Sequence, residues 1–512
     1  MISENRMASF RADKGGSPES YCSERLAPPP PKRCRLFVAF VVAVPSLLLS
    51  SCSLAPPSIP SVAPVPERYS QSSPAGHSIA QMGWQDFIQD EYLRALISTA
   101  LEKNRDIHIA SARVAQARAA WRIQGAGLYP SLDAIGTGTR ARSLIELPGT
   151  GPLRYDVEQI TAQVSAGWEI DFWGRLHNLN EAARNRYLAS EEGKRAVATG
   201  LIAQVASFYL LEREYAGRLA LASRTIATRE DALRIMRRRY EVGAGSKLEV
   251  TQAQILLAQV QSTFEALEQE WQINRNALAV LVGRPLDIAL RPLDLMETQS
   301  AIALPAGLPS DLLVQRPDII AAEYQLRAAN ADIGAARAAF FPSIRLTGAF
   351  GTTSTELDGL FGSGSETWNF TPSITLPLFH GGRLAANLDL ARARQVEAVA
   401  NYERTVQIAF RDVSNALVQR EQLAKQIGTT RNALNAQRER ARLAQLRFDN
   451  GRSAYLEVLD AQRDLFETEQ VLVRLQRAYQ SAGVGLYSAL GGGFPAQTAA
   501  RMTSQQTGEQ PQ

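Results

Sequence analysis

Residues Ile160 to Phe172 read ITAQVSAGWEIDF, in which Ile160, Ala162, Val164, Ala166, Trp168, Ile170 and Phe172 alternate with Thr161, Gln163, Ser165, Gly167, Glu169 and Asp171. A period of two sends the two sets to opposite faces of one extended strand. An unbroken apolar face opposed by a polar one suits a strand between lipid and water, and a soluble half-buried sheet carries the same alternation. From Gly174 to Tyr240 no Pro interrupts the chain, and about 66 residues of helix would reach about 100 Å, far beyond a bilayer. Membrane-type strands are thus joined to helices much too long for a membrane.

The same arrangement occurs twice. Asn104-Arg105-Asp106-Ile107 corresponds to Arg316-Pro317-Asp318-Ile319, and Leu128-Tyr129-Pro130-Ser131-Leu132 to Phe340-Phe341-Pro342-Ser343-Ile344, both at an offset of 212 residues. Gly174-Arg175-Leu176 corresponds to Gly382-Arg383-Leu384, Leu248-Glu249-Val250 to Leu456-Glu457-Val458, and Ala253-Gln254 to Ala461-Gln462, at an offset of 208. A four-residue difference therefore falls between Pro130 and Arg175, and the body of the chain is an internal duplication. The first repeat covers 81–295 with a hairpin at about 131–172, and the second covers 296–493 with a hairpin at about 343–379.

In the second hairpin Trp368, Phe370, Ile374, Leu376 and Leu378 alternate with polar residues, as Ile344, Leu346 and Phe350 do with Arg345 and Thr347. The strand starting near Ser131 has the weakest pattern. Each strand is expected to have about 9 to 11 residues, the length that crosses an outer membrane. The second long helix should cover 383–448, and shorter helical stretches 91–126, 248–282, 312–339 and 456–489 should stack end to end beside the long ones.

Four strands per chain cannot close a barrel, and an open sheet edge has no hydrogen-bond partner in lipid. The chain must oligomerise. Two copies would give eight strands around a filled interior, whereas three would give twelve and leave a lumen, so a trimer is expected. The abundant Ala, as in Ala110, Ala112, Ala115, Ala117, Ala119 and Ala120, permits the close helix approach that a wide helical barrel needs.

The N-terminus carries an export signature. Lys32, Arg33 and Arg35 precede an apolar run from Leu36 to Leu49, the charged and hydrophobic regions of a signal peptide over 1–51. The run ends in Leu49-Ser50-Ser51-Cys52, which resembles a bacterial lipobox, and Ser53 in place of Asp implies sorting to the outer membrane. Cys52 would then carry a diacylglycerol thioether and an N-palmitoyl chain, enough methylenes for stable anchoring. Processing there removes Cys22 and Cys34, which leaves no thiol for a disulfide. Residues 52–80, with Pro56, Pro57, Pro60, Pro64 and Pro66, read as an extended tether, and 494–512 as a disordered tail.

Composition narrows the function. Lys and Arg number 55 against 51 Asp and Glu among 512 residues, so no basic field points to nucleic acid. His77, His108, His177 and His380 are scattered, none lies in HExxH, and Gly243-Ala244-Gly245-Ser246-Lys247 lacks the order of a phosphate loop. The reading is non-enzymatic, with no bound cofactor.

Three stretches carry a family resemblance: Trp84-Gln85-Asp86-Phe87 through Leu96-Ile97 to Asn104, Arg316-Pro317-Asp318-Ile319, and Tyr455 to Phe466, reading YLEVLDAQRDLF. With the duplication and the hairpins, the chain resembles the outer membrane factors, the TolC-like exit ducts of Gram-negative bacteria, in their NodT-type lipoprotein branch. The resemblance covers about residues 80–493. It implies an α+β membrane protein: a trimeric twelve-stranded transmembrane β-barrel, four strands per chain, joined to a long periplasmic α-helical barrel. It also implies a duct that passes substrates out from an inner-membrane pump of the resistance-nodulation-division type and a periplasmic adaptor.

In the resembled family the helix turns form the periplasmic tip where the adaptor docks, which makes Gly243, Ser246, Gly451 and Ser453 adaptor-contact candidates. Both glycines can take the left-handed conformation that ends a helix, and Ser246 or Ser453 can cap the next one. Leu456, Asp460 and Arg463 match the positions the family places around its closed aperture, with Glu457 as a further carboxylate. In the first repeat the counterparts are Leu248, Gln252 and Ile255, a less charged turn. Threefold symmetry would turn Asp460 into a ring able to pair with Arg or select cations, while an exposed Asp460–Arg463 bridge alone would contribute little. The competing functional class is a lipid-anchored periplasmic helical tether without a pore.

Overall fold

The structure is a computed structural model that describes residues 54–56, 65, 66, 69, 82–147, 151–286 and 312–492. The expected signal segment, Cys52, most of the 52–80 tether and the 494–512 tail lie outside the described residues. The order of elements is α1 (Trp84–Phe87), α2 (Glu91–Lys103), α3 (Arg105–Ala126), β1 (Ser131–Leu147), β2 (Gly151–Ile170), α4 (Arg175–Glu241) and α5 (Lys247–Val282). A second series follows: α6 (Leu312–Gln315), α7 (Pro317–Ala338), β3 (Ser343–Ser354), β4 (Glu366–Thr375), α8 (Arg383–Asp449) and α9 (Tyr455–Ala489).

The two long helices each have 67 residues and begin after a left-handed glycine, Gly174 at φ 70° and Gly382 at φ 84°. Only glycine takes that conformation without a Cβ penalty. Asp171 caps the first of these starts, its carboxylate accepting from the Leu176 amide at 3.0 Å and the His177 amide at 2.6 Å. The 91–126 stretch, expected as one helix, is two. Asn104 separates them because its side chain accepts from the Asp106 and Ile107 amides at 2.7 and 3.3 Å and so caps α3.

The short helices stack end to end beside the long ones, through equivalent contacts in the two repeats. Asn104 Nδ2, at the start of α3, donates to the Leu281 carbonyl at the end of α5 over 2.9 Å. Arg316 Nη1, at the start of α7, donates to the Ala489 carbonyl at the end of α9 over 2.8 Å. Around these two joints lies the largest core, which includes Ile97, Ile202, Leu278, Ile319, Val413 and Leu486. A second core at the far end of the helices joins Leu233, Met236, Val250, Tyr455 and Leu459.

The strands form one antiparallel sheet in the order β1-β2-β3-β4, with β1 and β4 as open edges. Its register aligns Ala134, Val164, Phe350 and Trp368 in one row and Ile170, Ile344 and Ile374 in another. Trp368 is 78% exposed, and Phe350, Phe370 and Ile374 are also exposed, so the apolar face stands uncovered in the single chain. Where the sheet meets the helices, Trp173 stacks on Phe341 at 4.5 Å and donates to the Pro342 carbonyl at 3.0 Å. Aromatic residues at such a level are the signature of a membrane–water boundary.

Strand lengths differ from the expectation in the first hairpin, where β1 has 17 residues and β2 has 20. The extension was invisible to apolar alternation because its outward positions are charged. Arg140 pairs with the directly opposed Glu158 at 2.7 Å, and Arg142 with Asp156 at 2.6 Å. Charge pairs there place this part of the ribbon beyond the hydrocarbon. β4 ends at Thr375, which leaves Leu376 and Leu378 outside the ladder. No helix among the described residues is long and apolar enough to cross a membrane.

Candidate functional site at the helical tip

Both turns at the far end of the long helices close in the same way. Gly243, at φ 76°, donates to the Tyr240 carbonyl and Ala244 to that of Arg239; Gly451, at φ 66°, donates to the Phe448 carbonyl and Arg452 to that of Arg447. These are left-handed helix stops. The next helix starts with its cap on the third residue after the glycine. In the first turn that residue is Ser246, and it forms a capping box with Glu249, at 3.2 Å to the Glu249 amide and 2.9 Å in return.

The second turn corrects an expectation. Its cap position is Ala454, and Ser453, one residue too early, leaves its hydroxyl without a partner. Glu457, the counterpart of Glu249, has no serine to bond and pairs instead with Arg447 at 3.1 Å. One turn is therefore closed within itself, and the other is tied across to α8.

Leu456 is exposed at the tip. Asp460 pairs with Arg463 at 3.4 Å on the solvent side of α9, and Arg463 also reaches Asp464 at 3.3 Å. Asp464 in turn takes Arg440 of α8 at 2.5 Å. The hydrogen bond from Arg440, with a smaller one from Arg463, holds the Asp464 carboxyl below the usual carboxylate range. Asp460, Arg463, Asp464 and Arg440 thus form one chain of alternating charges that spans α9 and α8, Glu457 makes a separate tie to α8 through Arg447, and Leu456 stands exposed and uncharged beside them. Leu248 and Ile255 of the first repeat are exposed and uncharged.

Behind this surface Arg229 of α4 is only 2% exposed, and its Nη1 has no partner. Burial pushes its guanidinium below the usual range, opposed by Tyr455 and aided by Arg463. Tyr455 is itself buried and packs on Phe448 at 4.9 Å, while the Arg239 guanidinium lies 5.1 Å over that ring. Of the basic run 237–239, Arg237 and Arg238 are solvated.

Between the tip and the large core around the two helix joints, a buried polar layer ties three helices together. Glu214 accepts from Arg477 at 2.8 Å and Arg218 at 3.1 Å, and Glu212 accepts from Trp271 at 2.7 Å. Among the described residues no three His, Cys, Asp or Glu side chains converge on a metal position.

The sheet, the two long helices and the paired turns make a defined comparison with known proteins. The family profile of outer membrane efflux proteins matches residues 96–284 and 308–492, one segment for each repeat. This chain belongs to that family. The outer membrane efflux protein described here is 38% identical over 465 residues to the cation efflux system protein CusC of Escherichia coli O6:H1, covering 90% of this chain and 99% of CusC. It is 39% identical over 459 residues to the solvent efflux pump outer membrane protein SrpC of Pseudomonas putida, covering 88% and 97%. Among solved structures, it is similar to a membrane protein from Pseudomonas aeruginosa, with a TM-score of 0.81, 39% identity and coverage of 86% and 100%. The open state of the Neisseria gonorrhoeae MtrE outer membrane channel matches with a TM-score of 0.78, 38% identity and coverage of 86% and 98%.

The efflux protein is accordingly an outer membrane exit duct with a large periplasmic helical portion, and the poreless tether reading gives way to it. Sequence reasoning missed Arg440, Arg447, Asp464 and Arg229 at the tip. Asp464 was within reach, since it follows Arg463 directly. The three arginines carry no local signal, because each meets α9 from a neighbouring long helix.

Proposed function

We propose that three copies of this efflux protein close the four-stranded sheet into a twelve-stranded barrel and that their helices continue it as a periplasmic duct. The observation that carries this reading is the sheet itself, which has two open edges and an exposed apolar face on each chain. Backbone groups on such edges need partners in lipid, and a neighbouring copy supplies them. Light scattering of the detergent-extracted protein, corrected for bound detergent, tests it. Three chains per particle support the duct, and a monomer sinks it.

In this duct Leu456, Glu457, Asp460 and Arg463 surround the periplasmic aperture, and the turns at Gly243, Ser246, Gly451 and Ser453 receive the periplasmic adaptor. The less charged turn is the self-contained one, so the movable element is α9 with its ties to α8. A resistance-nodulation-division pump drives transport, a choice that rests on the lipobox-like Leu49-Ser50-Ser51-Cys52 and the analogy with the lipoprotein branch of the family. Relatives of near-equal identity serve a cation efflux system and a solvent pump. That spread supports a conduit indifferent to cargo chemistry, with selection left to the pump. Cys52, after processing, carries the diacylglycerol thioether and N-palmitoyl chain that anchor each copy; the mass of the mature N-terminal peptide tests this directly.

A further inference from the structure

The two hairpins have one register. Ser131 opposes Gly167 in the first and Ser343 opposes Thr375 in the second; Ala134 opposes Val164 where Leu346 opposes Pro372. The offsets written in the sequence, 212 residues from β1 to β3 and 208 from β2 to β4, carry each pair of the second hairpin back onto a pair of the first. The duplication therefore holds to the single residue along the strands.

Inside one chain the repeats are joined through β2 and β3, and the free edges β4 and β1 are the equivalents of these two strands. The same offsets turn the β2–β3 register into one between β4 and β1 of the next copy. Ile160 opposite Ser354 becomes Trp368 opposite Arg142, and Ala162 opposite Thr352 becomes Phe370 opposite Arg140. Ala166 with Gly348 becomes Ile374 with Gly136, Trp168 with Leu346 becomes Leu376 with Ala134, and Ile170 with Ile344 becomes Leu378 with Leu132. We propose that β4 pairs with β1 of the next copy in this register, and that Arg142 and Arg140 latch each seam over Trp368 and Phe370. The proposal rests on the threefold closure above and adds which residues meet.

Three features of the single chain fit this register. On the outward face, Gly136 and Gly138 leave open space, where a Cβ would meet nothing within 4 Å, while Ile374 and Leu376 stand exposed. Large side chains of one copy thus cover small ones of the next, which also accounts for the weak apolar pattern of β1. Next, β2 continues to Ile170 because β3 pairs with it as far as Ile344. The equivalent stretch at Leu376 and Leu378 drops out of the ladder in the single chain, and the seam supplies its partners.

The third feature is the latch. Trp368 and Phe370 point outward with Phe350, exposed, and Arg140 and Arg142 lie on the same face. Each arginine is held on its far side by a carboxylate, Glu158 at 2.7 Å or Asp156 at 2.6 Å. Opposed Cβ atoms about 5 Å apart bring the guanidinium within cation–π reach of the ring. Across each seam the order is then aromatic, arginine, carboxylate, at the outer level where hydrocarbon gives way to water. The row Ala134, Val164, Phe350, Trp368 arrives at Arg142, eight residues farther along β1 than it began. Such a stagger is what tilted strands need to close a barrel.

The test uses full-length protein in outer membranes with Ile374→Cys and Gly136→Cys, oxidised with copper phenanthroline, the linked chains being read on non-reducing gels and by peptide mass spectrometry. Within one copy the two positions lie on opposite edges of the sheet, about 14 Å apart, so a disulfide reports neighbouring copies. This pair and Leu376→Cys with Ala134→Cys should link efficiently. Ile374→Cys combined with Gly138→Cys or Ala134→Cys should link at least about fivefold less, the diagonal separation being about 7 Å. The latch is read from the temperature at which the trimer dissociates in detergent gels. Arg142→Ala and Trp368→Ala should each lower it, and the double variant should fall no further than the worse single one. Additive losses would overturn the latch. Strongest linking at a shifted pair, or none at either opposed pair in a particle of trimer mass, would overturn the register and leave the barrel standing. A monomer would overturn both.

Discussion

Asn104 bonds the last turn of α5 through Leu281 while it caps α3, so a single side chain splices two helices that are 177 residues apart. Arg316 and Ala489 repeat this splice in the second half. Gly283 and Gly491 complete the joints, both at positive φ, and a Cβ on either would lie 2.6 or 2.7 Å from the carbonyl oxygen of Lys103 or Gln315. Asn104→Ala should therefore destabilise the folded protein by about 1–2 kcal/mol through the lost cap, plus the unpaired Leu281 carbonyl. Gly283→Val should be worse, because φ strain and a steric clash coincide. Thermal unfolding of the detergent-extracted protein measures both.

Aperture stability should depend on Arg440 as much as on Arg463. The Asp464 carboxyl is depressed, so its stabilising tie is fully present above the ordinary carboxylate range and is lost as pH falls through the lower folded value. Conductance of the closed duct in planar bilayers should thus be indifferent to this group between neutral pH and about 4. Asp464→Asn and Arg440→Ala should each raise the open fraction at neutral pH. Unchanged conductance in both would show that the tie to α8 does not restrain the aperture.

The layer around Glu214 predicts a different failure. Arg477→Ala leaves a carboxylate that is 2% exposed with Arg218 as its remaining charged partner, and should destabilise by about 3 kcal/mol. Glu214→Gln combined with Arg477→Met should recover much of that loss, because the stranded charge is gone. A double-mutant cycle on unfolding midpoints separates the two cases.

Arg229 should behave in the opposite sense. A buried guanidinium with an unpaired Nη1 opposes folding, so Arg229→Met should be neutral or stabilising by about 1–4 kcal/mol. A clear fall in the unfolding midpoint would mean that the assembled tip supplies Arg229 with a counter-charge.

Sequence alone determined the duplication, the Pro-free long helices, the strand faces around Trp168 and Phe350, and the paired glycine stops at Gly243 and Gly451. Each of these is written in local periodicity or in one residue's backbone freedom, which short-range sterics decide. The charged extension of β1 and β2 escaped because outside the hydrocarbon there is no apolar alternation to read. Tertiary structure decided the remainder: that Ser453 is not a cap, that Asn104 and Arg316 are splices, and that Arg440 holds Asp464. These depend on which helices lie side by side, and packing brings together residues whose separation along the chain erases any local signal.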